Sequence, residues 1–207
     1  KLLQNRGFAN PALETNEPST MAIPSCGPPL PGHQVRIVDD TGHELGERHQ
    51  GRVQFLGPSS SSGYFRNPGA TRDLFDGKWR DSGDIGYLSE GEIYITGRHK
   101  DLIIRAGRNI YPAELETVIG RLDGIQRGNV AIFGSVDPTT GSERLVVMAE
   151  NRRRKEDQHP SLRRNISAII LDLAGVTPDD IVLLPPRSVP KTSSGKIRRQ
   201  AARQLYE

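Results

Sequence analysis

Gly97-Arg98-His99-Lys100-Asp101-Leu102-Ile103-Ile104-Arg105-Ala106-Gly107-Arg108-Asn109 is where the pattern of this chain changes, and that change decides its fold. Before it, short alternating segments follow one another between turn residues. Residues 34–38 and 51–57 alternate as strands, and Asp39-Asp40-Thr41-Gly42 supplies a turn. Ser89-Glu90-Gly91-Glu92 is a hairpin turn between strands at 85–88 and 93–96. Short strands at this spacing predict a small antiparallel sheet or barrel. After Gly97 a helical period enters. Residues 101–105 and 108–111 predict a short hairpin around Ala106-Gly107, and Pro112 marks a helix start before Leu115, Val118, Ile119 and Leu122. Strands are expected at 128–134, 144–150 and 181–184. Leu162, Ile166, Ile169, Ile170 and Leu173 predict a second amphipathic helix that Gly175 ends. A basic helix over 197–205 closes the chain. The expected class is α/β of the α+β type: an irregular segment at 1–24, a small antiparallel β-rich subdomain at 25–97, and an α/β C-terminal domain at 98–207.

Composition narrows the function. The 207 residues allow one large domain or two small ones, and 22 Gly with 15 Pro favour a loop-rich mixed protein over a helical bundle. No apolar run approaches the roughly 18–20 residues that span a bilayer, so no membrane span is expected. The opening Lys1-Leu2-Leu3-Gln4 lacks the apolar core of a signal peptide, and its lack of periodicity reads as the tail end of something longer. The single cysteine, Cys26, cannot form an internal disulfide and suits a reducing, cytoplasmic setting. A net charge of +3 without interleaved aromatics argues against nucleic acid. The basic clusters at Arg152-Arg153-Arg154-Lys155, Arg163-Arg164 and Lys196 to Arg203 read first as solvated faces. Their sharper reading is a docking surface for an acidic partner or a nucleotide phosphate. His33, His43, His49, His99 and His159 show no metal-ligand spacing, so no metal site is expected.

Three groups carry candidate chemistry. Pro190-Lys191-Thr192-Ser193-Ser194-Gly195-Lys196-Ile197-Arg198-Arg199 is a hydroxyl- and glycine-rich loop that presents Lys196 ahead of a basic helix. A lysine so placed is a mobile positive charge suited to an anion that develops during a reaction. It is not a Walker lysine, because Pro190 stands where the first glycine would be and Ile197 where Ser or Thr would be. Asp84, in Trp79-Arg80-Asp81-Ser82-Gly83-Asp84-Ile85-Gly86, opens from a turn into a strand. Its carboxylate can accept two hydrogen bonds from a vicinal diol, although Ser-Gly-Asp alone is a common turn. Arg98 offers fixed donors suited to a ribose or a phosphate.

Together the 97–109 and 190–199 blocks resemble the C-terminal signatures of the adenylate-forming enzymes: acyl-CoA synthetases, luciferases and peptide-synthetase adenylation domains. Ser82-Gly83-Asp84 is similar to the family's Thr-Gly-Asp motif. Gly51 to Phe75 is similar to its Gly-Glu-x-x…Gly-Tyr…Pro…Thr pattern, with Arg52 where Glu is usual. The resemblance runs from about Gly27 to Arg203. It implies that Asp84 and Arg98 bind the ribose of ATP or AMP and that Lys196 bridges the acyl carboxylate and the α-phosphate. It also implies that Lys100 is the hinge of a mobile C-terminal lid, and that Arg105, Gly107 and Asn109 face the site in a second pose where a phosphopantetheine arm enters. Mg²⁺ is expected with the nucleotide. The family's phosphate loop and Tyr-Gly-x-Thr/Ala-Glu motif are not in these residues, so the chain by itself is expected to be inactive in adenylation. Asp101 to Pro112, Pro190 to Lys196 and Ser25-Cys26-Gly27-Pro28-Pro29-Leu30-Pro31-Gly32 look most like fatty acyl-AMP ligases, which pass a fatty acid to an acyl carrier protein. Residues 1–24 would then be a remnant of that branch's insertion. Ala113-Glu114-Leu115-Glu116 is equally at home in fatty acyl-CoA ligases, whose acceptor is CoA. A non-catalytic module that docks carrier proteins is the reading from another class.

Overall fold

The computed structural model describes residues 7–11, 22–105, 107–137, 139–152 and 159–207. They form two compact units, Lys1–Lys100 and Asp101–Glu207. Most of the 1–24 segment, and Arg153, Arg154 and Lys155 of the basic run, lie outside the described residues.

The first unit is built on one long strand. Strands β1 (Gln34–Val38) and β2 (Gly51–Leu56) lead, through helix α1 (Pro68–Leu74) and the two-residue β3 (Phe75–Asp76), into β4 (Trp79–Ser89) and β5 (Glu92–Arg98). Strand β2 lies antiparallel along one edge of β4, β3 and then β5 along the other, and β1 flanks β2. Ile37, Val38, Val53 and Ile85 are its buried apolar side chains. Gln54 is fully buried beside them, so its amide must be paired. It donates to Asp76 Oδ2 at 3.0 Å and accepts from Arg36 Nε at 2.9 Å. Ser25 to Gly27 adds to the free edge of β5, where Cys26 N–H donates to the Ile93 carbonyl.

Helix α1 was not among the expected elements, although its signals are local. Asn67 accepts the Ala70 N–H at 3.1 Å as N-cap and Pro68 takes the first helical position. No residue of this helix is buried, so no apolar period marks it.

The second unit is a three-layer sandwich. A hairpin of β6 (Ile103–Arg105) and β7 (Arg108–Ile110) precedes α2 (Pro112–Ile119). Strands β8 (Ile125–Val136) and β9 (Glu143–Asn151), α3 (His159–Ala174), β10 (Asp180–Leu184) and α4 (Arg199–Tyr206) follow. The sheet order is β10-β9-β8, with β10 parallel and β8 antiparallel to β9. Both faces are covered, which is why Leu145 to Ala149 is apolar without alternation. Val130 and Ile132 pack with Leu115, Ile119, Leu162, Ile166 and Ile170 of α2 and α3. Ala131 and Phe133 turn to the opposite face and meet Ala202 and Tyr206 of α4.

The last helix starts at Arg199 rather than 197, because Ile197 bridges back to Lys191 and Arg198 N–H donates to the Pro190 carbonyl. Strand β5 runs through Arg98, and the two units divide between Lys100 and Asp101.

Candidate functional site

In the first unit, Asp84 and Arg98 are brought face to face. They are register partners on β4 and β5, with Arg98 Nε 3.6 Å from Asp84 Oδ1. The turn before Asp84 is set by hydrogen bonds. Ser82 Oγ donates to the Val53 carbonyl and accepts the Asp84 N–H at 3.1 Å, and Asp81 Oδ1 accepts the Gly83 N–H at 2.8 Å. Gly83 sits at φ +74°, where a side chain would be strained. Arg52 is paired to the other oxygen of Asp81 at 2.8 Å. An arginine at position 52 therefore helps to hold the turn that presents Asp84. Burial raises the Asp84 pKa above the ordinary carboxylate value, Arg98 opposes that, and Asp81 adds to it. Arg98 remains 63% exposed, so most of its donors are open. An acceptor and a set of donors side by side on a sheet can hold a vicinal diol.

Lys100 lies in a single 3₁₀ turn, His99–Asp101, at the division between the units, and its side chain is exposed. A backbone turn at such a point can absorb a large change of φ and ψ.

The second unit holds the other candidate residues. The lysine loop is closed on itself: Thr192 N–H donates to the Lys196 carbonyl at 2.9 Å, Gly195 N–H to the Thr192 carbonyl, and Lys196 N–H to Thr192 Oγ1 at 3.0 Å. Gly195 takes φ +83° to complete the turn. The Lys196 side chain is exposed and forms no bond with another described residue. The expected acceptor-side residues lie on the β6–β7 hairpin. Gly107 is exposed at φ +71°, with open space where a Cβ would stand. Arg105 is committed to Asp179 through both ends of its guanidinium, with Nη2 2.8 Å from Oδ1, and also reaches the Glu143 carbonyl. It anchors the hairpin. Asn109 pairs with Ile104 across it.

The sheet separates these two features. Arg105 ties the hairpin to residues just before β10 and at the start of β9. The lysine loop follows the far end of β10, and its root bonds Glu150 near the end of β9. At about 3.3 Å per residue, the Glu143 and Glu150 positions are ~20 Å apart. The roots of the two loops, one leading to Lys196 and the other to Gly107, therefore lie toward opposite ends of β9.

The sequence reading missed the charges that hold this unit together. Arg199, at the start of α4, donates from Nε and Nη2 to the two oxygens of Glu116 at 2.8 and 2.6 Å, and from Nη1 to Asp101 at 2.7 Å. Glu116 Oε1 also accepts the Ile132 N–H at 3.0 Å. A usable signal was present: Glu116 lies between Leu115 and Ile119 on the apolar face of α2, where a carboxylate needs a partner.

Among the described residues, no group of three or more His, Cys, Asp or Glu side chains is placed to hold a metal ion, and no helix is long and apolar enough to cross a membrane.

No family model matches the chain. It is 40% identical over 183 residues to a provisionally named acyl-CoA synthetase of Caulobacter vibrioides, covering 87% of this chain and 32% of that protein. It is 36% identical over 191 residues to the provisionally named fatty-acid–CoA ligase FadD21 of Mycobacterium tuberculosis, covering 83% of this chain and 32% of FadD21. Among solved structures, a fatty acyl-adenylate ligase from a set of E. coli and L. pneumophila enzymes superposes with TM-score 0.83 at 35% identity, over 99% of this chain and 36% of that one. ATP-bound MatB of Rhodopseudomonas palustris superposes with TM-score 0.70 at 26% identity, over 97% and 38%. The chain belongs to the adenylate-forming enzyme superfamily. It spans about a third of the length of the curated relatives it matches.

Proposed function

We propose that this chain is the C-terminal third of an ATP-dependent fatty-acid adenylating ligase that passes its acyl group to the phosphopantetheine thiol of an acyl carrier protein. The observation that supports this reading is that the roots of the lysine loop and of the glycine hairpin lie toward opposite ends of β9. A two-step reaction uses such a lid twice, with rotation at Lys100 between the steps. In the first step a carboxylate oxygen attacks the α-phosphorus of ATP, and the bond to pyrophosphate breaks. Lys196 would meet the oxygens on which charge develops, while Asp84 and Arg98 hold the ribose. In the second step the thiol attacks the acyl carbonyl and AMP leaves, with Gly107 offering no side chain to the entering arm. Mg²⁺ would neutralise phosphate charge on the nucleotide; the described residues offer no cluster for it, and no step of these residues runs through it. The exposed, unpaired Cys26 suits a cytoplasmic setting.

The similarity to FadD21 and to the Caulobacter protein favours a second reading, in which free CoA is the acceptor. The deciding experiment joins this chain to its upstream adenylation segment and supplies ATP, Mg²⁺ and a long-chain fatty acid, then CoA or a phosphopantetheinylated carrier. Mass spectrometry is expected to find acyl-adenylate that persists with CoA and moves to the carrier. Rapid acyl-CoA formation would establish the CoA reading; no adenylate under any condition would refute both. In the same protein, Asp84→Asn removes a charged acceptor worth about 1.5–3 kcal/mol, so the KM for ATP is expected to rise about 10- to 100-fold with the KM for fatty acid unchanged.

A further inference from the structure

Glu150 lies in β9 one residue before its end, is 1% exposed, and belongs to none of the motifs. Its Oε1 accepts the Val189 N–H at 2.9 Å, and the N–H groups of Arg187 and Ser188 are also directed at the carboxylate. Its Oε2 accepts from the Asn129 side-chain amide, whose Oδ1 accepts in turn from Lys191 Nζ. One line of hydrogen bonds thus runs from Lys191 through Asn129 and Glu150 to the backbone of 187–189. Both ends lie on the entering side of the lysine loop, and its leaving side is tied to them where Ile197 bridges to Lys191 and Arg198 N–H donates to the Pro190 carbonyl. Arg187 takes φ +70° there, a conformation that costs a non-glycine residue about 1–3 kcal/mol and persists only where its surroundings hold it. Burial would raise the Glu150 pKa, but the bonds from Asn129, Val189, Arg187 and Ser188 keep it below the ordinary glutamate value. The carboxylate is therefore ionised at neutral pH and can only accept. That fixes Asn129 with its amide nitrogen toward Glu150 and its oxygen toward Lys191.

The loop beyond this root is closed by its own hydrogen bonds, so whatever orients the root orients Lys196. We propose that Glu150 is a positioning residue for Lys196, acting through Asn129, Lys191 and the backbone of 187–189 to set the direction in which the loop presents its lysine. The catalytic part of this inference rests on the adenylating role proposed above; the hydrogen-bonded relay does not.

The polarity of the relay supplies its test. Glu150→Gln keeps an acceptor for Val189 but sets an amide N–H₂ against that of Asn129. If Asn129 turns over, its nitrogen meets Lys191 instead. Asn129→Asp added to Glu150→Gln restores every pairing, since an aspartate accepts both from the substituted amide at position 150 and from Lys191. In the 207-residue chain, amide hydrogen exchange at 187–189 and 191–196 is expected to quicken about 10- to 100-fold in the single variant, as loss of a charged hydrogen bond implies. Exchange at Ile166 and Ile170 should hold steady, and the double variant should return the loop to wild-type rates. Unchanged loop exchange overturns the relay, and equal quickening at Ile166 and Ile170 reduces Glu150 to general stability. In the joined enzyme, Glu150→Gln is expected to lower kcat for adenylate formation with both KM values and transfer from preformed acyl-adenylate unchanged, and Asn129→Asp should rescue it. Equal loss in both half-reactions overturns the positioning role. Altered loop exchange in a protein whose wild type makes no adenylate upholds the relay and rejects the adenylating function.

Discussion

Lys196→Ala in the joined enzyme is expected to reduce acyl-adenylate formation about 100- to 1,000-fold, the usual cost of deleting one preorganised donor to a developing oxyanion. Transfer of the acyl group from preformed acyl-adenylate should be unchanged. The asymmetry follows from the proposed use of the lid in two poses: the roots of the lysine loop and of the hairpin lie toward opposite ends of β9, so a pose that brought the hairpin to the thiol would turn the lysine loop away. Single-turnover assays of each half-reaction make the measurement. Wild-type adenylation in the variant refutes the role of Lys196, and equal loss in both half-reactions refutes its separation from the transfer step. The fold should not suffer, because the Lys196 side chain is exposed and the loop closes through backbone groups and Thr192.

Arg199→Ala should act in the opposite sense, on stability before activity. Its side chain is 18% exposed and its guanidinium satisfies Glu116 and Asp101 together. Removing it leaves Glu116, 9% exposed, without its counter-ion beside β8. Breaking such a pair costs about 3–5 kcal/mol, and the solvent edge of this one places it near the lower figure. Chemical denaturation of the chain should show the midpoint falling with the slope unchanged. Arg203→Ala is the control: its pair with Glu207 is an exposed i,i+4 contact, and the midpoint should not move. A similar midpoint for both variants would mean that the Arg199 network contributes little. The network also links the start of α4, just past the lysine loop, to Asp101, the residue after the proposed pivot. Partial activity in a folded Arg199→Lys variant would therefore report loss of that linkage, since lysine cannot reproduce the forked contact.

Much of this was legible along the chain. Element types and order followed from periodicity and turn residues, and the candidate residues Lys196, Asp84, Arg98 and Lys100 stood in contiguous stretches of sequence, where a resemblance can be read residue by residue. Helix α1 escaped because it buries nothing, leaving only its cap to announce it. Arg105 stood in the segment expected to face the site, and the structure shows its guanidinium spent on Asp179. Glu150 and Asn129 carried no motif, and Arg199 and Glu116 stood at the ends of the 190–199 and 113–116 stretches, which gave no sign of their pairing. Their partners lie as far as 83 and 98 residues away, and no local rule names such a partner.

The sequence by itself determined the superfamily, the change from β-rich to α/β character near Gly97, and the lysine that the loop presents. All of these depend on residues within a turn or two of one another, where backbone preference and side-chain period act directly. Only the tertiary structure decided that the roots of the lysine loop and of the glycine hairpin lie toward opposite ends of β9, and that a buried glutamate bonds the backbone at the root of the loop. Those facts depend on which strands pair and in which direction. Strand pairing is settled by burying the two faces of the sheet, a long-range condition that no single stretch of the chain contains.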